Sequence, residues 1–534
     1  MKAIHPTLIL ALLLGACAPG QTISTAPGPV PQATPAPVPD SAPDNWWLLD
    51  RFGSGVFGTS AMRAYQDLIG DRPPQASVVV AIIDSGVDIE HEDLDDNLWV
   101  NEDEIAGNGV DDDGNGYIDD VHGWSFLGGQ DGRDVHYDTY EVARLYRGCR
   151  DRNELTTPAC SPIAADFEAE RNEATELLDQ YQTISLAFAT FEGILKSQLG
   201  VDTLTRESVA GLQATSPELR QAQQAWLQLT DQGVSEEMLA EGVEALSSQV
   251  QYGLNPDFES RAIVGDDYGN PNERVYGNNH VEGPAASHGT HVAGIVGAER
   301  GNGIGVNGIA PGPRIMVVRA VPDGDERDKD VANAIRYAVD NGARIINMSF
   351  GKGYSPQKEV VDEAVRYADS HGVLMVHAAG NDATNQDDEA DFPNRYYADG
   401  GEASLWIEVG ASEWGDAEAL AASFSNYSAQ RVDVFAPGVE ILSTVPDNQY
   451  ERNQGTSMAS PVVAGLAALI MSYYPDLTTA QVKQVILETA TRYPDLSVEV
   501  PGGEGVRRPF SQLSITGGIV NAYSALQRAA EIAR

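Results

Sequence analysis

Three features of the sequence predict an α/β fold with three layers, a mostly parallel central sheet and an inserted α-helical hairpin or bundle. Continuous, β-branched apolar runs recur along the chain, as strands buried on both faces require. Helical segments alternate with them, which is the pattern of a parallel sheet linked by crossover helices. One stretch, 131–260, interrupts the alternation and carries only helical periodicity.

Residues 1–17, "MKAIHPTLILALLLGAC", set one lysine before a short apolar run that ends in small residues and Cys17. The run is too short to span a bilayer and fits an export signal. Its "LGAC" ending resembles a bacterial lipobox, which implies lipidation of Cys17; an ordinary signal cut nearby is the alternative. Residues 18–45 are a Pro/Ala/Ser/Thr tether with too little apolar content to fold. By resemblance, Ala18 after the cysteine implies an exported protein anchored in the cell envelope at the outer membrane.

The folded body is expected in two parts, 46–130 and 261–534. The first holds the strand "ASVVVAIID", ending at Asp84, and an Asp-rich loop at 111–120. The second holds strands at 314–321, 343–351, 372–381 and 404–412, with helices "DKDVANAIRYAVDNG" and "QKEVVDEAVRYADSHG" between them. In such sheets ligands bind at the carboxyl ends of strands, where Asp84, Ser349 and Asn381 fall. In 131–260, Leu177, Tyr181, Ile184, Phe188, Phe191 and Leu195 recur at helical steps, as do Leu239, Val243, Leu246 and Val250. Turn-rich residues near 200–216 separate them, so a hairpin is predicted. It is either a packing decoration or a module that meets a partner or substrate.

Bulk composition narrows the function. The 534 residues carry 79 acidic against 34 basic side chains, a net charge of −45, and are 42% hydrophobic. The chain can therefore bury a core, and it lacks the basic face that nucleic acid demands. Of its three cysteines, Cys149 and Cys160 remain once Cys17 is set aside. In an exported protein they either close a small loop as a disulfide or stay as free thiols.

The stretch "NQGTSMASPVVAGLAALIMSYYP" reads as a helix buried on all sides that opens on small polar residues around Ser457. A serine in a first turn has an unsatisfied backbone N–H at the positive end of the helix dipole. Pro461 is expected in that turn, where its missing N–H costs little. Alone, the stretch reads better as a core helix with Ser457 as its N-cap. His288 opens another small-residue helix, "SHGTHVAGIVGA", and Asp84 ends a buried strand, where an unpaired carboxylate is expensive. The three placements make sense together: Ser457 attacks, His288 moves the proton, and Asp84 holds the imidazole tautomer and its cation.

"VAIIDSGVD", "SHGTHVAGIVGA", "INMSFG", "HAAGND" and "NQGTSMASPVVAGLAAL" resemble the signature segments of the subtilisin-like serine proteases, in that family's order of Asp, His, Ser. The resemblance covers roughly 76–127 and 263–525 and leaves the insertion outside. It implies the subtilisin-like fold and a triad of Asp84, His288 and Ser457. Asn381 and the Ser457 N–H are implied as the oxyanion hole, and Ser349, Phe350 and Gly351 as the strand that binds the substrate backbone and walls the S1 pocket. His291 is implied to be structural. Lys352 stands where a second glycine is common, which leaves the pocket rim open.

Two stretches point to calcium as a structural cofactor. "VDDDGNGYIDD" places Asp111, Asp113, Asn115 and Asp119 at alternating positions, like the start of an EF-hand loop; an Asp/Gly-rich turn is the alternative. "HEDL" and "ERGNGIGVNGIAP" resemble the family's calcium loop, with Asp93 and Asn302 at its side-chain positions. The family's usual N-terminal prodomain has no counterpart long enough before Val78, which puts self-cleaving maturation in doubt. The expectation is an exported, lipid-anchored serine endopeptidase acting on proteins or peptides, with no organic cofactor. A narrow envelope-processing protease and a catalytically silent binding lipoprotein are the alternatives.

Overall fold

The computed structural model describes residues 36–388, 390–503 and 505–534. Cys17 and residues 18–35, most of the tether, lie outside them. The strands are β1 (Val79–Asp84), β2 (Gly123–Ser125), β3 (Arg314–Arg319), β4 (Ile345–Met348), β5 (Leu374–Ala378), β6 (Trp406–Ser412), β7 (Val434–Pro437), β8 (Ile441–Val445), β9 (Gln449–Asn453), β10 (Thr491–Arg492), β11 (Ser497–Glu499), β12 (Arg507–Pro509) and β13 (Gly518–Ile519). Nine of them form one sheet in the order β10-β13-β7-β6-β5-β4-β1-β3-β2. Every pairing in it is parallel except β10 with β13. β8 pairs with β9, and β11 with β12, as separate hairpins.

Successive strand residues point to opposite faces, and the sheet carries a core on each. Val80 and Ile82 pack with the helices Ser287–Gly297, Thr456–Tyr473 and Ala522–Ile532. Ala81 and Ile83 pack with the helices Asp328–Asp340 and Lys358–Ser370. This is the three-layer α/β architecture predicted above. The short strands β2, β10 and β13 have too few residues to show a period in the sequence. Trp46, Trp47 and Leu48 are buried in the first core, so the stretch after residue 45 is part of the body and not a separate unit.

The insertion is richer in helices than a hairpin. It contains Glu141–Asp151, Ser161–Leu199, Arg206–Ala210, Pro217–Asp231 and Glu236–Ser248. The Ser216 side chain caps the fourth with Pro217 at its first position, and a Thr205–Ser208 capping box starts the third inside the stretch expected to be turn. Phe188, Leu195, Leu219, Trp226 and Leu239 give these helices a small core of their own. A disulfide joins Cys149 to Cys160 and staples the first two together. The chain re-enters the body through buried ion pairs of Arg261 with Asp266 and Asp330, and of Lys329 with Asp266.

Candidate active site

Asp84 is the last residue of β1 and is 2% exposed. Its Oδ1 accepts from the Ser85 N–H at 2.7 Å and meets His288 Nδ1 at 2.7 Å. His288 stands in the first turn of the helix Ser287–Gly297. Gly289 lets that helix close on β1: a Cβ there would lie 2.1 Å from Gly86 O and 3.2 Å from the Asp84 Cβ. Burial presses the imidazole towards its neutral form, but the charge and hydrogen bond of Asp84 outweigh it and hold the His288 pKa above its ordinary value. His288 Nε2 has no hydrogen-bond partner among the described residues.

Ser457 is the second residue of the helix Thr456–Tyr473, and every other residue of that helix is buried. Gly455, at φ 151°, supplies the turn into it. The Ser457 N–H has no acceptor among the described residues, as expected two positions into a helix. Its hydroxyl donates to the Ser349 carbonyl at 3.1 Å. Asn381 follows β5 and accepts at Oδ1 from the Thr456 N–H at 2.9 Å and the Thr456 hydroxyl at 3.0 Å. These bonds fix the amide and leave Nδ2 without a partner among the described residues, so it and the Ser457 N–H are two free donors at one helix end.

Pro461 is not in the first turn. It is the sixth residue of the helix, where its missing N–H deprives the Ser457 carbonyl of its partner. The Ser349 hydroxyl takes over by donating to that carbonyl at 2.9 Å, while Asn347 Nδ2 donates to the Ser349 Oγ at 3.0 Å. Ser349 is thus tied to Ser457 in both directions, a link invisible in the sequence. His291 is buried and its Nε2 donates to the carbonyls of Ile441 and Glu451 in the β8–β9 hairpin. Burial lowers its pKa to about 4, so it stays neutral.

Ser457, Asn381, Phe350 and Gly351 line one cavity of about 580 Å³. Tyr140, Val142 and Glu170 from the insertion region also line it. Lys352 does not offer its charge to this space. Its ammonium is buried against Glu141 Oε2 at 2.9 Å, Asp328 Oδ1 at 2.8 Å and the Glu326 carbonyl at 2.8 Å. The insertion is therefore bonded to the residue that follows Gly351.

The Asp-rich loop differs in detail from expectation. Oxygens of Glu104, Asp111 and Asp113 converge within 4.8 Å of one another, a separation that one hard cation bridges. Glu104 Oε2 is buried and without a partner. Asp119 falls outside the cluster, because its carboxylate accepts from the N–H groups of Asn108 and Gly109. Asn115 spends its Nδ2 on Asp113 and its Oδ1 on the Tyr117 N–H. Glu104 escaped notice because it precedes the motif by seven residues. In the other loop Asn302 Nδ2 donates to Asp93 Oδ1 at 2.7 Å, and the Val306 N–H to Oδ2 at 2.9 Å; the pair meets through a hydrogen bond.

The subtilase family profile matches residues 75–505 of the chain. The chain is 38% identical over 252 residues to the thermophilic serine proteinase of Bacillus sp. (strain AK1), covering 47% of this chain and 56% of that protein. It is 40% identical over 212 residues to subtilisin DY of Bacillus licheniformis, covering 39% of this chain and 72% of that protein. The match thus spans only about half the length of the first relative. A solved structure described as proteases from Pseudoalteromonas arctica PAMC 21717 aligns with 47% of this chain and 74% of its own, at 30% identity and a TM-score of 0.37.

Proposed function

The chain belongs to the subtilase family of serine proteases, and on that premise we propose that it hydrolyses peptide bonds through an acyl-enzyme on Ser457. The observation that carries this reading is the 2.7 Å bond between His288 and Asp84, set at the same sheet edge as a serine whose helix end presents two free donors. His288 Nε2 takes the hydroxyl proton as Ser457 Oγ attacks the carbonyl carbon. Asn381 Nδ2 and the Ser457 N–H hold the resulting oxyanion. The tetrahedral adduct then expels the amine, which receives the proton from His288, and water releases the acyl group by the same route. Asp84 keeps the Nδ1 proton in place and stabilises the cation between the two transfers.

The resting Ser457 hydroxyl donates to Ser349, and substrate binding is the step that turns it to His288; such bonds commonly tighten only in the complex. A fluorophosphonate tests the reading directly. Wild type labels at Ser457 and Ser457→Ala does not; a folded wild type that fails to label refutes it.

We also read the chain as exported and lipid-anchored at Cys17, on the strength of its first 17 residues and the tether. Radiolabelled palmitate entering wild type and not Cys17→Ser is the expected result. Calcium is the metal that the Glu104, Asp111 and Asp113 oxygens suit best, since all are hard carboxylate donors and one of them is otherwise unpartnered. When bound it stiffens the loop by neutralising these charges.

A further inference from the structure

The cavity beside Ser457 has a strongly acidic lining. Asp391, Asp382, Asp325 and Glu170 line it, and Lys352 is the one cationic residue among its described lining. That ammonium is spent on Glu141, Asp328 and a carbonyl. Among the described lining no cation is left free to balance the four carboxylates, and Arg144, which acts on Asp325, is itself paired with Glu141.

Asp391 has the most telling position. The N–H of Lys352 donates to the Phe392 carbonyl at 2.9 Å and the N–H of Phe392 to the Lys352 carbonyl at 3.0 Å. This two-way bridge holds Asp391 against the strand end of Ser349–Gly351. Its Oδ2 would lie 2.7 Å from a Cβ on Gly351 and 3.1 Å from one on Gly380. The carboxylate thus fills the gap between the two backbone walls of the cavity, and both walls are bare there because both residues are glycine. Asp391 Oδ1 accepts from its neighbour's N–H, while Oδ2 has no hydrogen-bond partner among the described residues.

We propose that Asp391 makes this cavity select a cationic side chain, lysine or arginine, at the residue whose carbonyl Ser457 attacks. The inference rests on the proposed protease reading and departs from the large apolar residue that the family resemblance implies. A long basic side chain enters the cavity with its stem against Phe350 and points towards the gap that the Asp391 carboxylate fills. Its head then meets Asp391 Oδ2, with the remaining carboxylates adding long-range attraction. Burial pushes the Asp391 carboxyl well above its ordinary value, opposed by His377 and reinforced by Glu408. An incoming cation favours the ionised carboxylate that burial alone disfavours. A carboxylate in so enclosed a place is costly without a partner, and the charged hydrogen bond it makes to a ligand is correspondingly strong.

The test is a set of peptide p-nitroanilides that differ only in the residue before the scissile bond: lysine, arginine, phenylalanine or leucine. The lysine-to-phenylalanine ratio of kcat/KM is independent of how much of a preparation is folded. Wild type is expected to favour lysine by at least ~10-fold, and Asp391→Asn to cut that ratio by ~100-fold, the scale of losing one partner of an enclosed charge pair. Glu170→Gln, on the insertion, should lower the ratio by only ~2–5-fold, because an exposed charge acts through solvent. A wild-type preference for phenylalanine, or a ratio unmoved in Asp391→Asn, overturns the proposal. Fluorophosphonate labelling separates the two levels. Labelled enzyme without basic preference refutes only this inference, whereas no labelling and no turnover refute the protease reading and this inference with it.

Discussion

Replacing Lys352 by methionine tests whether the insertion is an integral part of the protease body. The methionine keeps most of the stem and removes the charge. Glu141 is then left with Arg144 Nη2 at 2.6 Å as its cation, and Asp328 with the Ser355 hydroxyl and the Gln357 N–H. Both carboxylates are no more than 3% exposed. Removing one partner of a buried ion pair costs about 3–5 kcal/mol, and the surviving partners put this substitution near the lower figure. Glu141→Gln is the milder change, since Lys352 keeps Asp328 and a carbonyl. The double variant should recover about 1–2 kcal/mol relative to the sum of the singles, because the charge each leaves stranded is absent. Urea unfolding of all four proteins in a Ser457→Ala background, which prevents self-digestion, gives the coupling energy. Additivity within about 0.5 kcal/mol would refute the claim that this bridge joins the two parts.

Acid provides a check on the same bridge. Burial opposes ionisation of Glu141, but Arg144 and Lys352 prevail and bring its pKa down to about 2. Its contribution is therefore fully present above its ordinary pKa of 4.5 and lost as pH falls towards 2, so wild type and Glu141→Gln should converge in stability at that end. For catalysis the pKa shift runs the other way, although activity too is gained as pH rises. His288 must be neutral to accept a proton, and Asp84 holds its pKa above 6.5; kcat/KM should rise with pH through an inflection above that value, and one below it would contradict the pairing. Ser349→Ala strands the Ser457 carbonyl beside Pro461, so it should lower unfolding stability by about 1–3 kcal/mol, measured again in the Ser457→Ala background. Titration with calcium should raise the melting temperature of wild type and not of Glu104→Gln; equal shifts in both would remove Glu104 from the site.

The body was legible because its information is local. β1 and β3 to β6 announce themselves as mainly apolar runs, interrupted inside β4, β5 and β6 only by Asn347, His377 and Glu408, and the helices between them by their periodicity. The segments around Asp84, His288, Asn381 and Ser457 each carry their own small-residue surroundings. β2, β10 and β13 were missed because two or three residues are too few to show a period. The helix Pro217–Asp231 was missed although Ser216 and Pro217 mark its start, because its apolar stripe is diluted by glutamine.

What the sequence by itself determined is the layered sheet and the strand ends and helix starts on which the candidate catalytic groups sit, because hydrophobic period and capping chemistry act between near neighbours. Tertiary structure alone decided how distant groups complete one another. Glu141 neutralises Lys352 from 211 positions away, and the Ser349 hydroxyl replaces the bond that Pro461 removes from a serine 108 positions on. Asp391 comes to fill a gap bounded by Gly351 and Gly380. Burial and electrostatic pairing depend on distance in space, and no spacing along the chain encodes them.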